Sequence, residues 1–415
     1  MKAKSLRTFI GIYLAGVVVV HLALFWYARK LIAKGYPDFA IYYCAGDVVR
    51  HGQGHELYDP VPRFEVEQQF AVYVPQFRGP LPYTHPPFET LFFLPFSYLS
   101  WIGAYTAWNL MNVGLLVAVL FLLRPHLPGL AVYSPWLWML AIFAYFPVAY
   151  GILNAQDAIL VLFFYTLVFV SLKSAQFLRA GVFLALGLFK FHFILPFLAL
   201  WLLQKRDRGE RMRLLLGFTP VAGLLALASV AIAGVRSFSA YPRYVLWWED
   251  YMAGPDKVPA GMPSLRGLFY IFLPSGFDFH GILLVVSIAL LAFVAWVSRR
   301  RSGKQFLDLN FSLALLVTAL VSYHVVSYDL SMLLLPIALT TNYFLTRTPQ
   351  QRWTWAAFVV CLCILFFSPL QIYLSAVSKQ YGLIGIVLLI WMFATATELM
   401  QAGVPRVTAH ATAVS

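Results

Sequence analysis

The sequence predicts an all-α integral membrane protein, a polytopic helical bundle of about 10–12 spans. Of its 415 residues, 61% are hydrophobic and only 11% are charged, whereas about a quarter of the residues in a soluble globular protein are charged. Apolar runs close to twenty residues long recur along the chain, for example at residues 8–27, 214–234 and 281–297. Each run is long enough to cross about 30 Å of hydrocarbon as a helix, so a soluble domain is excluded.

Charged residues are distributed by sign along the chain, which carries a formal net charge of +13. Basic residues cluster in four short segments between apolar runs, at residues 2–7, 205–213, 299–304 and 347–352. This is the positive-inside pattern, so we expect those segments and both termini to lie in the cytoplasm. Because the positive charge flanks apolar runs, nucleic acid is not an expected partner.

The first apolar run, residues 8–28, is predicted to be an uncleaved first helix, since no small-residue cleavage site follows it. It leads to a polar first outer loop over residues 29–86, in which amphipathic helices are expected. Residues 214–234 lead to a second outer loop over residues 235–278. The apolar stretch 263–274 within that loop is too short to cross and is predicted to be a re-entrant or interfacial helix.

The rest of the chain completes a single transmembrane domain over residues 1–415. Residues 281–298 return to the inner side. Four further spans are predicted near residues 307–326, 328–346, 353–373 and 382–400.

The stretch 87–204 can be arranged in two ways. In the first, residues 88–100 form a short span and residues 178–204 form one long span. In the second, residues 88–100 lie at the outer interface, and residues 180–204 form two half-length helices broken near Lys190. We favour the second arrangement because it obeys the charge rule better and gathers the polar motifs on the outer side.

The first outer loop opens with Asp38, after which aromatic residues recur with helical spacing, among them Tyr42. This predicts an amphipathic helix at the membrane surface, with Asp38 in its first turn. The simplest interpretation of Asp38 is a solvated capping acid. Tyr58 and His85 follow in the same loop, and the prolines after His85 place it at a helix mouth. His85 therefore either only precedes a helix or binds a sugar hydroxyl or a phosphate.

Lys190 lies in an apolar stretch, residues 187–193, which also contains His192. A charge at that depth costs at least a few kcal/mol unless it has a partner or a water-filled cavity. Snorkelling to the interface is one explanation for Lys190, and an anionic ligand such as a lipid phosphate is the other.

Two later clusters are also expected on the outer side. Arg266 opens the predicted re-entrant helix, where backbone donors favour an anion. His324 and Asp329 lie between two spans and either pair with each other or contact a substrate. Together these residues give one carboxylate, several cations and many aromatics on one face, which suits a sugar phosphate with a lipid tail.

Short motifs with these residues follow one another over residues 8–345. They are Asp38-Phe39, Tyr42-Tyr43, Gly54, Leu57-Tyr58, His85-Pro86-Pro87, Asn154-Ala155-Gln156, Gly181 through Lys190, residues 263–267 and residues 324–329. In this order and spacing the chain resembles the bacterial GT-C membrane glycosyltransferases of family 87. That group, also known as DUF2029, contains polyprenol-phosphate-mannose-dependent α-mannosyltransferases.

The resemblance implies that Asp38 is the general base for an acceptor hydroxyl, which attacks the anomeric carbon as polyprenyl phosphate leaves. It implies an inverting hexosyltransferase in the bacterial plasma membrane, with mannose as the sugar (related enzymes use arabinose) and a lipid, glycan or protein acceptor. No cofactor and no metal ion are expected. The residues expected to bind the donor phosphate or sugar are Lys190, His192, Arg266, His324, Asp329, His85, Tyr42, Tyr58 and Gln156.

Two other functions remain compatible with these residues. Broken helices and intramembrane cations also mark secondary transporters and lipid flippases. Transporters often carry internal repeats, and the first loop with its acid has no counterpart in the second half of the chain. A non-catalytic scaffold of the cell envelope is the third possibility, and it would not need Asp38.

Overall fold

The computed structural model describes residues 3–71, 82–204, 207–252, 258–274 and 276–402, and every regular element in them is helical. In this part of the chain seven helical stretches are long and apolar enough to cross a membrane, counting Phe177–Leu203 as one although a 3-10 turn divides it. The number rises to nine when each of two bent pairs counts as one span. The prediction of an all-α polytopic membrane protein is confirmed. Fewer spans qualify than the 10–12 predicted, in part because an apolar helix such as Ala158–Lys173 is too short to pass the same test.

The segment predicted to be the first outer loop contains helices that pack into the protein. Helix α1 (Ala3–Ala33) is followed by α2 (Phe39–Arg50) and α3 (Pro60–Gln68), and after residues 72–81, which lie outside the described part, comes the short α4 (Thr90–Phe93). Most of α2 is buried, and it packs against α3, α4 and the turn Leu94–Tyr98. Amphipathic helices were predicted here, but α2 lies within the helical body and not on its surface.

A broken span follows the first loop. Helix α5 (Trp101–Leu123) leads through the short α6 (Pro128–Ala131) to α7 (Pro135–Ala144) and α8 (Phe146–Leu153). The axes of α7 and α8 are bent by 69° at the break between them. A proline at residue 147, in the first turn of α8, removes a backbone donor where the bend occurs.

The next three helices form an antiparallel group with a folded-back tip. Helix α9 (Ala158–Lys173) is followed by α10 (Phe177–Leu186), a 3-10 turn (Gly187–Lys190) and α11 (Phe191–Leu203). Both ends of the α10–α11 segment lie against the beginning of α12 (Arg208–Met252).

Two contacts establish the fold-back. A Cβ atom on Gly217 would lie 2.0 Å from the carbonyl oxygen of Leu178, and Arg211 donates to the carbonyl of Leu202 at 3.5 Å. In one straight helix, Leu178 and Leu202 would be about 36 Å apart, whereas Arg211 and Gly217 are separated by about 9 Å. The chain therefore reverses direction at the 3-10 turn, and the predicted break near Lys190 is confirmed.

The segment predicted to be the second outer loop is more helical than expected. Helix α12 bends at Gly234, whose φ of 76° suits a residue without a Cβ atom, and then continues to Met252. Helix α13 (Leu265–Phe272) is short and half-buried, and its re-entrant or interfacial position in a membrane stays a prediction. The region assigned to a loop from residue 235 therefore begins as an extension of the preceding helix.

The C-terminal part of the bundle contains six helices, of which α15 is deeply buried. They are α14 (His280–Arg300), α15 (Leu307–Val321), α16 (Leu334–Thr346), α17 (Arg352–Phe366), α18 (Ser368–Ile372) and α19 (Ile384–Gln401). Helix α15 is buried along nearly its whole length and packs against α14, α16 and α19. Of the four spans predicted after residue 307, those near residues 307–326 and 382–400 correspond to helices that can cross a membrane, and the one near 353–373 corresponds to a pair of helices bent by 63°. The span predicted at residues 328–346 is instead a 3-10 segment followed by the shorter α16.

The bundle has two chemically different ends. At one end Lys173 pairs with Asp308, and Arg301 donates to the carbonyl of Met400 at 2.7 Å. We call this the basic end, because residues 299–304 and 347–352 lie there. The helices alternate in direction between this end and the opposite one, which carries α2 and α3 and which we call the loop end.

Candidate active site

Polar segments from distant parts of the chain meet at the loop end. They are the start of α2, the turn at residues 85–89, the turn at residues 154–157, the hairpin tip at residues 187–190, and the segment 322–329. Hydrogen bonds and ion pairs connect each of these segments to the next.

Asp38 lies at the first residue before α2 and is half-buried. Its side chain makes no capping hydrogen bond to the helix, so the simple interpretation as a capping acid is wrong. The Oδ2 atom instead accepts a hydrogen bond from Nε2 of Gln156 at 2.9 Å. The backbone N–H of Phe39 donates to the carbonyl of Asn154 at 3.1 Å, which fixes the start of α2 against the same turn.

Gln156 is held in one orientation by its neighbours. The hydroxyl of Tyr42 donates to Oε1 of Gln156 at 2.8 Å, so Nε2 must face Asp38. Asn112 donates to the Gln156 carbonyl at 3.2 Å, and Tyr42 and Gln156 are each 1% exposed. Tyr42 and Gln156 therefore orient the carboxylate of Asp38.

Two tyrosines that the sequence analysis did not select lie beside Asp38. The rings of Tyr150 and Tyr328 stack with centroids 6.0 Å apart. The carboxylate of Asp38 is close enough to both phenols to influence their ionisation. Their rings give the surroundings of Asp38 the aromatic character that suits the apolar face of a sugar.

Lys190 is 4% exposed and lies between two carboxylates. Its Nζ atom is 3.0 Å from Oδ1 of Asp157 and 3.2 Å from Oδ1 of Asp329. Asp329 also accepts the backbone N–H of Val326 at 2.8 Å. Lys190 is therefore paired inside the protein and does not snorkel to an interface.

His85 and Glu89 extend this cluster. Nδ1 of His85 lies 2.8 Å from Oε2 of Glu89 and 3.9 Å from Oδ2 of Asp157. Burial raises the pKa of Glu89 to about 8 and that of Asp157 to about 6. Burial and the nearby charge of Lys190 lower the pKa of His85 to about 3, so its imidazole is neutral near pH 7.

The backbone of His85 is fixed by the first loop. The hydroxyl of Tyr58 donates to the carbonyl of His85 at 3.0 Å. The ring of Tyr58 stacks on Tyr241 with centroids 5.4 Å apart and lies 5.1 Å from Tyr244, and both of these tyrosines belong to the part of α12 after Gly234. Tyr58 therefore connects the extended α12 to the His85 turn.

His192 and His324 face each other from the hairpin and from the segment after α15. Their ring centroids are 6.5 Å apart. Among the described residues, Nε2 of His192 has no hydrogen-bond partner although it is buried. Two imidazoles at this separation leave room for an oxygen-rich group to bridge them.

Arg266 supports the segment that carries His324. Its guanidinium donates to the carbonyl of Tyr323 at 3.2 Å and lies 3.9 Å from the centroid of that ring. The side chain is 2% exposed. It therefore reaches the site through Tyr323, the residue next to His324.

One group of side chains has the spacing of a three-ligand metal site. His85, Glu89 and Asp157 each offer one ligand atom, and these atoms lie within 4.8 Å of one another. However, Lys190 already places an ammonium 3.0 Å from the Asp157 carboxylate. Lys190 therefore supplies a positive charge directly beside this group of side chains.

The sequence contained a signal for Glu89 and Asp157 that was not used. Both are acids at the start of an apolar stretch, and the argument from burial cost that selected Lys190 applies to them equally. No comparable signal distinguishes Tyr150 and Tyr328 from the many other tyrosines of the chain.

Comparison with known proteins adds one finding. Residues 83–327, more than half of the chain, match glycosyltransferase family 87. The match includes His85, Gln156, Lys190, His192, Arg266 and His324, whereas Asp38, Tyr42 and Tyr58 precede it and Asp329 follows it. No curated protein and no solved structure matches the chain significantly.

Proposed function

The chain belongs to glycosyltransferase family 87, and from this premise we propose that it transfers mannose from a polyprenyl-phosphate donor to an acceptor hydroxyl. We place the reaction at the loop end, on the outer face of a bacterial plasma membrane, with both termini in the cytoplasm. The observation that carries the proposal is the continuous polar network from Asp38 through Gln156 to the Lys190 cluster.

In the proposed reaction Asp38 is the general base. Its carboxylate takes the proton from the acceptor hydroxyl as that oxygen attacks the anomeric carbon. The bond between the anomeric carbon and the phosphate oxygen breaks, and the electron pair leaves with polyprenyl phosphate. Attack from the side opposite the phosphate inverts the anomeric centre. The orientation of Asp38 by Gln156 supports this role, because a fixed carboxylate loses less freedom in the transition state.

The phosphate is proposed to bind on the side of His192, His324 and Arg266. The unpartnered buried nitrogen of His192 and the 6.5 Å spacing of the two imidazoles support this placement. Lys190 is less available to a phosphate than an unpaired cation would be. Because Asp157 and Asp329 offset its charge, a phosphate oxygen that bound Lys190 would have to displace one of these carboxylates.

The sugar is proposed to lie between the base and the phosphate. Tyr42 and His85 line the buried side, and the stacked rings of Tyr150 and Tyr328 flank Asp38. Tyr58 acts through the His85 backbone. This arrangement provides ring faces for the sugar and hydrogen-bonding groups for its hydroxyls without a metal ion.

A donor screen tests the proposal directly. Purified protein in lipid is incubated with polyprenyl-phosphate mannose, arabinose or other sugars, together with candidate lipid, glycan and peptide acceptors. We expect turnover with a polyprenyl-phosphate sugar and its loss in Asp38→Asn. The matched control is Asp59→Asn. Asp59 is an exposed acid of the same loop that caps α3, and asparagine can cap a helix equally well.

Two results would overturn the proposal. Full activity of a folded Asp38→Asn protein removes Asp38 as the base. Movement of an intact lipid-linked sugar across vesicles, with no glycosyl transfer in any donor and acceptor combination, would instead identify a transporter.

A further inference from the structure

Glu89 and Asp157 form a buried carboxyl pair that the proposed reaction does not use. Both side chains are fully buried at 0% exposure. Among the described residues, Glu89 Oε1 and Asp157 Oδ2 have no hydrogen-bond donor when both groups are ionised. Buried carboxylate oxygens without donors are rare, because they lose their hydrogen bonds to water and gain none in exchange.

The charge balance of the cluster also indicates that one of its carboxyl groups carries a proton. Glu89, Asp157 and Asp329 bring three carboxylates around the single ammonium of Lys190. Two carboxylates that share a buried site do not both ionise, since their repulsion is large where water is excluded. One proton placed between Glu89 and Asp157 removes the repulsion and gives both oxygens a partner.

We propose that Glu89 and Asp157 share one proton, and that this pair fixes His85 with its Nε2 lone pair directed at the reaction site. In this arrangement Glu89 Oε1 donates the proton to Asp157. Glu89 Oε2 then accepts the N–H of His85 Nδ1, to which it is 2.8 Å away. Glu89 is thus a positioning residue that acts through His85.

The opposite ring nitrogen of His85 faces the groups around Asp38. Nε2 lies 3.5 Å from the hydroxyl of Tyr42, which itself donates to Gln156. With the hydrogen held on Nδ1, Nε2 can accept a hydrogen bond from a sugar hydroxyl but cannot donate one. Glu89 therefore determines which hydrogen-bonding role His85 has toward the substrate.

The shared proton of Glu89 and Asp157 is expected to be lost as the pH rises. The groups that face Glu89 are His85, Asp157, Lys190 and the phenol of Tyr83. Tyr42, Tyr58 and Tyr241 also influence Glu89, and they do so as neutral phenols. Because burial raises the pKa of Glu89 to about 8, the shared proton is present at neutral pH and is lost as the pH rises through that value.

The Glu89→Gln variant mimics the protonated pair without a titratable group. Its amide N–H₂ replaces the acid proton toward Asp157, and its carbonyl oxygen still accepts from His85. We expect wild-type kcat to fall as the pH rises through about 8, because the two carboxylates then repel each other and no longer hold His85 in place. Glu89→Gln should keep activity comparable to wild type near neutral pH and should lack this alkaline decline. Glu89→Ala leaves His85 without this acceptor and should lower kcat at every pH.

A spectroscopic measurement tests the pair without any substrate. Infrared difference spectra of the wild-type protein across pH 6–9 should contain the carbonyl stretch of a protonated carboxyl group disappearing near pH 8, and Glu89→Gln should lack it. The absence of this band in wild type overturns the proposal. So does an unchanged alkaline decline in Glu89→Gln, or the loss of its activity at neutral pH while it remains folded.

The role assigned to His85 rests on the proposed glycosyl transfer, whereas the shared proton does not. If no donor supports turnover but the infrared band is present and depends on Glu89, the pair stands and the proposed reaction fails. If turnover is observed but the band is absent, the proposed reaction stands and the pair fails.

Discussion

The ammonium of Lys190 is the countercharge of two buried carboxylates, and Lys190→Met removes it while keeping an unbranched side chain of similar length. The side chains of Lys190, Asp157 and Asp329 are 5%, 1% and 1% exposed, so water cannot replace the lost cation. We therefore expect a loss of stability and not merely weaker donor binding.

The size of the expected loss of stability follows from the burial of the ion pairs that Lys190 makes. Breaking a buried ion pair by removing one partner costs about 3–5 kcal/mol, because the remaining charge stays without compensation. Uptake of a proton by Asp157 limits the loss. Replacing a second partner in Lys190→Met/Asp329→Asn removes one of the two uncompensated carboxylates, so the double variant should recover part of the stability.

The assay is unfolding of the purified protein in detergent, with the free energy compared between variants. Lys173→Met is the matched control. Lys173 also pairs with an aspartate, Asp308, but at the basic end and with side-chain exposures of 29% and 17%. Such a pair contributes about 0–1 kcal/mol, so this variant should unfold close to wild type.

The comparison can refute the reasoning in two ways. Equal and small losses in Lys190→Met and Lys173→Met would mean that water reaches the Lys190 cluster. A stable Lys190→Met protein with unchanged affinity for polyprenyl phosphate would in addition remove Lys190 from the donor site.

Three further predictions concern the proposed site. Tyr42→Phe removes the donor that orients Gln156 toward Asp38, so kcat should fall about fivefold, the equivalent of about 1 kcal/mol, with little change in KM; a change in KM alone would contradict an orienting role. His192→Ala and His324→Ala should each raise the Kd for polyprenyl phosphate by at least about fivefold, measured by binding to the protein in lipid; unchanged values would place the phosphate elsewhere. Chelation with EDTA should leave the transfer rate unchanged, and a loss that divalent ions restore would mean that a metal ion takes part.

Several features of the fold were predictable because they depend on local sequence. The break at residues 187–190 could be predicted because basic residues on both sides of this apolar stretch are expected on the inner side, so the chain has to turn back within it. The lysine in the middle of the stretch indicates where it turns. The short helix α13 followed from a stretch bounded by prolines and too short to cross. In both cases the length and polarity of one segment were sufficient to predict its structure.

Other features depend on contacts between distant residues and were not predictable. The partners of Lys190 lie 33 and 139 positions away in the chain, and nothing in the local sequence identifies them. The burial of α2 depends on its packing against segments up to residue 98. The sequence analysis proposed His324 as a possible partner of Asp329, whereas the structure pairs Asp329 with Lys190.

Four helical segments begin at the candidate site, namely α2 after Asp38, α9 after Asp157, α11 after Lys190 and the 3-10 segment Ser327–Leu333 before α16. The backbone N–H groups of a first turn carry a partial positive charge of roughly half an elementary charge for each α-helix. The main chain thereby attracts negative charge toward the same place from several directions. A phosphate entering this region meets acidic side chains, but it also meets peptide dipoles whose attraction does not change with pH. Substitution of any one basic side chain should consequently leave part of the affinity for an anion intact.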